Sequence, residues 1–356
     1  MGSVLNRQCP LLGNIWDSFR RFGRAFARSK KRSLTYAVSS NTTSPRMSKL
    51  HLKNLHFSKS ATQVAASLIS LVAVPLPAFS HGFAGNRFFP ATLATDDPFV
   101  ANELSLPTFE AIRQPDGPTK TFDLSTDVAL KLTQNFGIEI GDGYQFQKAV
   151  GSNLHTGFHN LDVGAKYQFL VSPEHEAILS LGVTAEIGGT GSRAIGADRF
   201  STIVPGFFFG KGFGDLPDSL WILRPFALTG QVGVSFPTGS NAGERVPNNL
   251  EWGLALEYSL IYLQGYVKDI GLRAPFDRLI PLVEFPMETP LNRGGTPTTG
   301  TINPGVIWSG KYFQIGVEAV IPINRHTGNN LGVLAQLHFY LDDLFPKIFG
   351  KPLFGR

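Results

Sequence analysis

The feature that most constrains this chain is a two-residue apolar period that returns again and again along it. In residues 310–324, GKYFQIGVEAVIPIN, every second position from Phe313 to Ile323 is apolar, and Gln314, Gly316 and Glu318 lie between. Successive side chains of a strand point to opposite faces, so such a segment is a strand with one oily and one polar face. The same pattern runs through 122–132, 161–171, 177–187, 250–260 and 333–341. Further candidates lie near 136–146, 200–213, 220–236, 278–289 and 299–309. No comparable stretch has a helical period.

A soluble sandwich turns its oily faces inward, and a membrane barrel turns them outward. The apolar runs are longer than ordinary soluble strands, about 5–6 residues, and match transmembrane strands of about 9–11. The polar faces mix Gly, Ser, Thr, Gln and acids, as a barrel lumen does, rather than presenting a lysine-rich solvated surface. Aromatic residues gather near strand ends, as at Tyr144 and Phe146, Tyr258, Trp308, and Phe339 and Tyr340. Interfacial girdles have that distribution. The expected fold is all-β: a transmembrane antiparallel up-and-down β-barrel in the cell outer membrane of a Gram-negative cell.

Strand number follows from parity. Eleven segments lie between 121 and 341. Barrels of this kind have even strand numbers and alternate short turns with longer outer loops. The first visible connection, Gln134-Asn135, is short, so a strand should precede it. ELSLPTFEAI (103–112) supplies it, giving about twelve strands. The Asp215–Asp218 turn reads as another short connection, whereas 264–277 is long where a short turn is expected.

The N-terminal part reads differently. Twelve of the 32 Lys and Arg residues lie in 1–60 with a single acid, Asp17, leaving 20 basic against 26 acidic residues and a net −6 beyond it. The high overall basicity therefore gives no nucleic-acid footprint. Residues 47–80 carry Lys49, Lys53 and Lys59, then an apolar core from Ala61 to Val74, then Ala78-Phe79-Ser80. This is the layout of a secretory signal peptide cleaved before His81. Residues 1–46, Arg- and Ser-rich, read as an organellar transit peptide or, preferably, as a non-native or mis-called extension ahead of a start at Met47. Residues 81–119 form a periplasmic or plug segment with the possible first strand, 120–341 the barrel, and 342–356 a periplasmic tail. The only cysteine, Cys9, precedes all of these, which excludes disulfides and thiolate metal sites from the barrel.

GVSFPTGSN (233–241), EIGGTGSR (186–193) and VIPINRHTGNN (320–330) end strands on Pro-Thr-Gly or Thr-Gly turns. A β chain so punctuated resembles the outer-membrane proteins linked to phenol-degradation meta pathways. That resemblance implies a barrel passing aromatic or other hydrophobic molecules.

No nucleophile elbow, phosphate loop or dinucleotide fingerprint occurs. No catalytic residue, cofactor or metal site is expected, and the chain is not read as an enzyme. His155 and His159 are four apart, within a candidate outer loop. If the oily faces meet lipid, the lumen is lined by Asp123, Asp127, Glu139, Asp162, Glu186, Glu251, Glu257, Glu284 and Glu318, joined by Glu176 and Glu288. Against these stand Lys131, Lys166 and Lys211. One-signed charge in a low-dielectric tube enriches counter-ions, so a cation-preferring lumen is expected. The function expected is a channel or transporter for small hydrophobic, aromatic or cationic solutes. A closed structural barrel is the alternative, and a barrel enzyme a more remote one. Expected partners are outer-membrane lipid, the barrel-assembly machinery and a small-molecule solute, with no nucleic acid.

Overall fold

The computed structural model describes residues 82–114, 119–241, 244–292 and 295–354. The expected signal peptide and the extension before it lie outside the described residues.

Among the described residues twelve long strands form one antiparallel sheet: β1 (Glu103–Arg113), β2 (Lys120–Lys131), β3 (Phe136–Lys148), β4 (Leu161–Ser172), β5 (Ala177–Ile187), β6 (Thr202–Gly212), β7 (Phe226–Pro237), β8 (Asn249–Tyr258), β9 (Leu279–Pro290), β10 (Thr299–Ser309), β11 (Phe313–Pro322) and β12 (Gly332–Tyr340). Each pairs with its neighbours in the sequence. The ring closes where β12 meets β1, with Val333 opposite Ala111 and Tyr340 opposite Glu103. Closure leaves no long edge strand unpaired, so every ladder satisfies its own backbone groups. The expected fold and the added first strand are both present. Pro107 interrupts β1, and the register shifts around it toward both partners, between Ser105 and Thr108 on one side and Gln336 and His338 on the other. Proline cannot donate to a ladder, so an irregularity is where a strand tolerates it.

The faces are inverted relative to a water-soluble barrel. On β11, Ile315 and Val317 are 46% and 47% exposed while Gln314 and Glu318 are 1% exposed. The exposed set continues around the outside through Phe122, Ile140, Leu181, Ile203, Val232, Leu256, Val306 and Val333. Soluble monomers rarely expose apolar patches beyond a few hundred Å². Aromatic pairs mark both ends of this belt. Trp308 packs on Phe313 at 5.5 Å and Phe226 on Tyr258 at 4.7 Å near one rim, and Phe109 on Phe122 at 4.4 Å near the other.

The two rims differ. The terminal rim, where β1 begins and β12 ends, holds the connections 132–135, 173–176, 213–225, 259–278 and 310–312. The distal rim holds 149–160, 188–201, 238–248, 291–298 and 323–331. All three glycine-turn motifs therefore fall at the distal rim, after β5, β7 and β11. The strand expected from residue 220 begins instead at Phe226. Leu220 to Leu223 are apolar but form turns after a single-turn helix at Asp218–Leu220, making 213–225 a long connection. After β12 the chain forms helical turns at Leu341–Leu344 and Pro346–Phe349. It then returns to the terminal rim, where Phe354 N donates to Leu132 O at 2.7 Å. No helix among the described residues is long and apolar enough to cross a membrane, which says nothing of strands.

Candidate functional site

Residues 82–102 have no strand period, and their position shows why none is needed. Apart from the short hairpin Phe83–Ala84/Arg87–Phe88, the segment runs through the barrel interior as irregular backbone whose polar groups are met by side chains of the wall. Glu284 of β9 accepts from Leu93 N (2.7 Å), Ala94 N (3.0 Å), Thr95 N (2.6 Å) and Thr95 Oγ1 (2.8 Å). Gln314 of β11 donates to Ala91 O at 2.5 Å, and Gln231 of β7 accepts from Asp96 N at 3.2 Å. Lys166 of β4 donates to Asp96 Oδ1 at 2.8 Å and Asp97 O at 2.7 Å, and Ser180 of β5 donates to Pro98 O. Buried backbone groups must be paired somewhere, and here the wall supplies the partners that a ladder would have supplied. Gly316 of β11 gives the segment room, since a Cβ there would come within 2.5 Å of Leu93 Cδ1.

Toward the terminal rim the interior is apolar. Phe89, Ala91, Phe99 and Ala101 of the segment pack with Ile178 and Ala227 of the wall. Ile280, Leu282 and Ile307 form a second cluster with Phe88 and Leu93. Burying one phenylalanine contributes about 1.5–3 kcal/mol, so these contacts anchor the segment alongside its hydrogen bonds.

At the rim itself Arg87, fully buried, gathers several connections. Its Nε donates to Glu176 Oε2 at 3.0 Å, Nη1 to Pro225 O at 3.0 Å and Nη2 to Arg224 O at 2.5 Å, and its guanidinium lies 3.6 Å from the centre of the Tyr262 ring. Tyr262 Oη donates to Glu176 Oε1 at 2.5 Å, and Gly214 N to Glu176 Oε2 at 2.9 Å. Burial, and then the bond to Glu176, push the Tyr262 hydroxyl up to about 12, so it remains a donor at neutral pH. Arg87 was not singled out in the sequence, because nothing in FAGNRFF marks one arginine as buried.

Two of the cavities that border the segment carry charged side chains of the wall and the distal mouth. The distal one, about 600 Å³, is lined by Leu93, Glu110, Arg113, Asp123, His159 and Asn303 among others. The inner one, about 410 Å³, is lined by Leu93, Thr95, Asp127, Glu139, Asp162 and Gln336 among others. Leu93 and Ala94 line both, so the segment stands between them.

The expected lumen residues do not share one environment. Asp127, Glu139 and Asp162 line the inner cavity and Asp123 the distal one. Lys166, also inward, is bonded to the segment, and Glu186 accepts from Asn160 Nδ2 at 2.6 Å. Glu251 lies opposite Glu288 across β8 and β9. Glu257, Glu284 and Glu318 are 2%, 0% and 1% exposed, and Lys131 is likewise buried, so these four are closed off rather than bathed by lumen water. Glu176 is spent on the rim cluster. Lys211 donates to Asp215 at 2.8 Å, which holds that carboxyl below the ordinary aspartate range. His155 pairs opposite Gln147 in a short strand, His155–Phe158, while His159 Nε2 lies 2.8 Å from Asp123 Oδ1; the two histidines act apart.

No protein-family model matches the chain, and no curated protein matches it. Among solved structures it is similar to a KdgM porin, at 11% identity and a TM-score of 0.39, over 66% of this chain and 98% of that one. It is also similar to the translocator domain of the autotransporter NalP from Neisseria meningitidis, at 13% identity and a TM-score of 0.38, over 79% and 96%. A third likeness is to the outer membrane phospholipase of Salmonella typhi, at 10% identity and a TM-score of 0.36, over 71% and 94%.

Proposed function

We propose that the chain is an outer-membrane barrel that passes small solutes, with a preference for cations, through a lumen narrowed by residues 82–102. The observation that carries this is the inversion of its faces: an exposed apolar belt encircles a wall whose inner side holds carboxylates and two cavities lined in part by charged side chains. A lipid surround is the environment in which that belt costs nothing, and aromatic pairs at both ends of the belt suit the two interfaces. Acids outnumber bases along the inner cavity, which favours cations over anions. The glycine turns at the distal rim are what supports kinship with the phenol-degradation barrels and, through it, a hydrophobic or aromatic solute.

Reconstitution in planar bilayers tests the reading. Discrete conductance steps with a reversal potential shifted toward the cation are expected, and clear anion selectivity overturns the cation preference. The segment's dense bonding to the wall favours a second reading, a barrel closed by its own N-terminal residues. Under that reading bilayers stay silent with the whole chain and conduct once residues 82–102 are removed.

A further inference from the structure

We propose that the inner cavity is a binding site for a small organic cation carrying one or two ammonium groups, held by Asp127, Glu139, Asp162 and Gln336. This deepens the cation-preferring reading by naming the solute class.

Register brings the three acids together. Asp127 of β2 and Asp162 of β4 both lie opposite Gly141 of β3, one on each side, and Glu139 precedes Gly141 by two on the same inner face. The glycines are what allow it. A Cβ on Gly141 would collide with Asp127 Oδ1, and one on Gly164, opposite Glu139, would collide with the Glu139 carboxylate. The carboxyl groups therefore lean over backbone rather than being pushed apart. None of the three has a hydrogen-bonded or ion-paired partner among the described residues, whereas other acids of this cavity do. Asp96 is bonded to Lys166, and Asp97 accepts from Thr92 N and Oγ1 at 3.0 and 2.9 Å. The nearest lysine, Lys166, spends its hydrogen bonds on Asp96 and Asp97, so the three crowded acids have more negative charge than the wall neutralises by direct contact, and a bound cation relieves that.

A second, independent feature points to a ligand. Gln336 of β12, 8% exposed, lines the same cavity; its Nε2 donates to Thr108 Oγ1 at 3.2 Å, and its buried Oε1 has no partner. Buried polar atoms are nearly always satisfied, so an acceptor without a partner among the described residues, on the wall of the same cavity, fits a donor that arrives with the solute. An ammonium offers three N–H donors and no acceptor.

The ligand is molecular rather than a bare metal ion. Among the described residues no grouping of His, Cys, Asp and Glu has metal-binding geometry, and about 410 Å³ falls in the range of small-molecule sites, roughly 300–1,000 Å³. Leu93 and Ala129 provide apolar wall for methylene groups.

The test is calorimetric titration of the purified, full-length barrel in detergent with 1,4-diaminobutane, using 1,4-butanediol and butanoate as uncharged and anionic controls. The diamine is expected to bind at least tenfold more tightly than the diol. The loss should be at least tenfold in Asp127→Asn/Glu139→Gln/Asp162→Asn and several-fold in Gln336→Leu, a single change that leaves every carboxylate in place should the triple variant fail to fold. Heat-modifiable gel migration reports folding in each case. Diamine binding no better than the diol, binding that survives in the triple variant, or displacement by salts according to ionic strength alone each overturns the site. Binding in detergent needs no transport. A barrel that binds the diamine but never conducts overturns the channel and leaves the site, while a conducting barrel indifferent to the diamine overturns the site alone.

Discussion

Two sectors of the wall carry acids on the same inward period and use them in opposite ways. On β9, Glu284 has both carboxylate oxygens turned to one stretch of the segment, the N–H groups of Leu93 to Thr95 and the Thr95 hydroxyl. Across β2 to β4, Asp127, Glu139 and Asp162 meet no donor among the described residues and line open space. What separates them is the irregular segment between the sectors, which offers its N–H groups to β9. A carboxylate that accepts several N–H bonds is structural, and the same group facing an empty cavity is available to a solute.

The sharpest way to break this contrast is Glu284→Ala. It leaves the backbone N–H groups of Leu93, Ala94 and Thr95 without their acceptor, while the Thr95 hydroxyl keeps only its longer bond to Thr92 Oγ1 at 3.3 Å. At about 1–3 kcal/mol for each unsatisfied buried group, the local cost is several kcal/mol. The expected outcome is hydrogen exchange at residues 93–95 faster by about 100-fold or more, with exchange in β2 and β3 unchanged. Equal exchange in the variant and the parent would mean that apolar packing alone holds the segment.

Arg87→Met comes next. Methionine keeps an apolar stem near Tyr262 but leaves Glu176 without its buried cation, a loss on the order of 3 kcal/mol. Residues 82–90 should exchange faster and the thermal midpoint should fall, while the distal cavity is untouched. A midpoint within error of the parent would show that the Tyr262 and Gly214 bonds to Glu176 suffice.

Much of the wall was legible in the sequence, the division between its acids was not, and the limits have physical causes. Strands with one polar face, such as β11 and β12, announced themselves, because Gln314, Glu318, Gln336 and His338 alternate with apolar residues. The inward face of β9 was harder. In LIPLVEF both faces are apolar toward the terminal rim, since Ile280 and Leu282 meet the segment rather than water. The segment itself carried no period, because its partners are wall side chains as far as 223 positions away. For the same reason Glu284 and Asp127 looked alike: the donors that tell them apart lie outside the local pattern. The apolar run at 220–223 imitated a strand because strand-like composition also suits an exposed turn at an interface.

Glu318 sharpens the comparison from inside β11. It is 1% exposed, and neither side-chain oxygen has a hydrogen-bond partner of good geometry among the described residues. Unlike Glu284 it holds none of the segment's backbone, so exchanging the carboxyl for an apolar group of similar volume removes a desolvation cost. Glu318→Leu is expected to leave the thermal midpoint unchanged or to raise it, by a stabilisation of about 1 kcal/mol. A large destabilisation would reveal a donor for Glu318 and move it to the structural class.

The smallest expected effect concerns His159, at the distal mouth, where a charged hydrogen bond is neither fully structural nor open. Its bond to Asp123 raises the imidazole above the ordinary value of 6.5, partial burial opposes this, and the charges of Asp123, Asp142 and Asp162 add to the rise. The folded state thus holds the proton more tightly than the unfolded chain. The contribution is fully present below about 6.5 and is lost as pH rises through the higher folded value. The His159 side chain is 40% exposed, so screening keeps the effect below about 1 kcal/mol. The stability difference between the parent and His159→Gln should shrink between pH 6 and pH 8, and amide protection factors in 149–160, corrected for intrinsic exchange, should fall over the same interval in the parent only. A difference that stays flat with pH would assign the contact to neutral hydrogen bonding, leaving charge at the mouth to Asp123 alone.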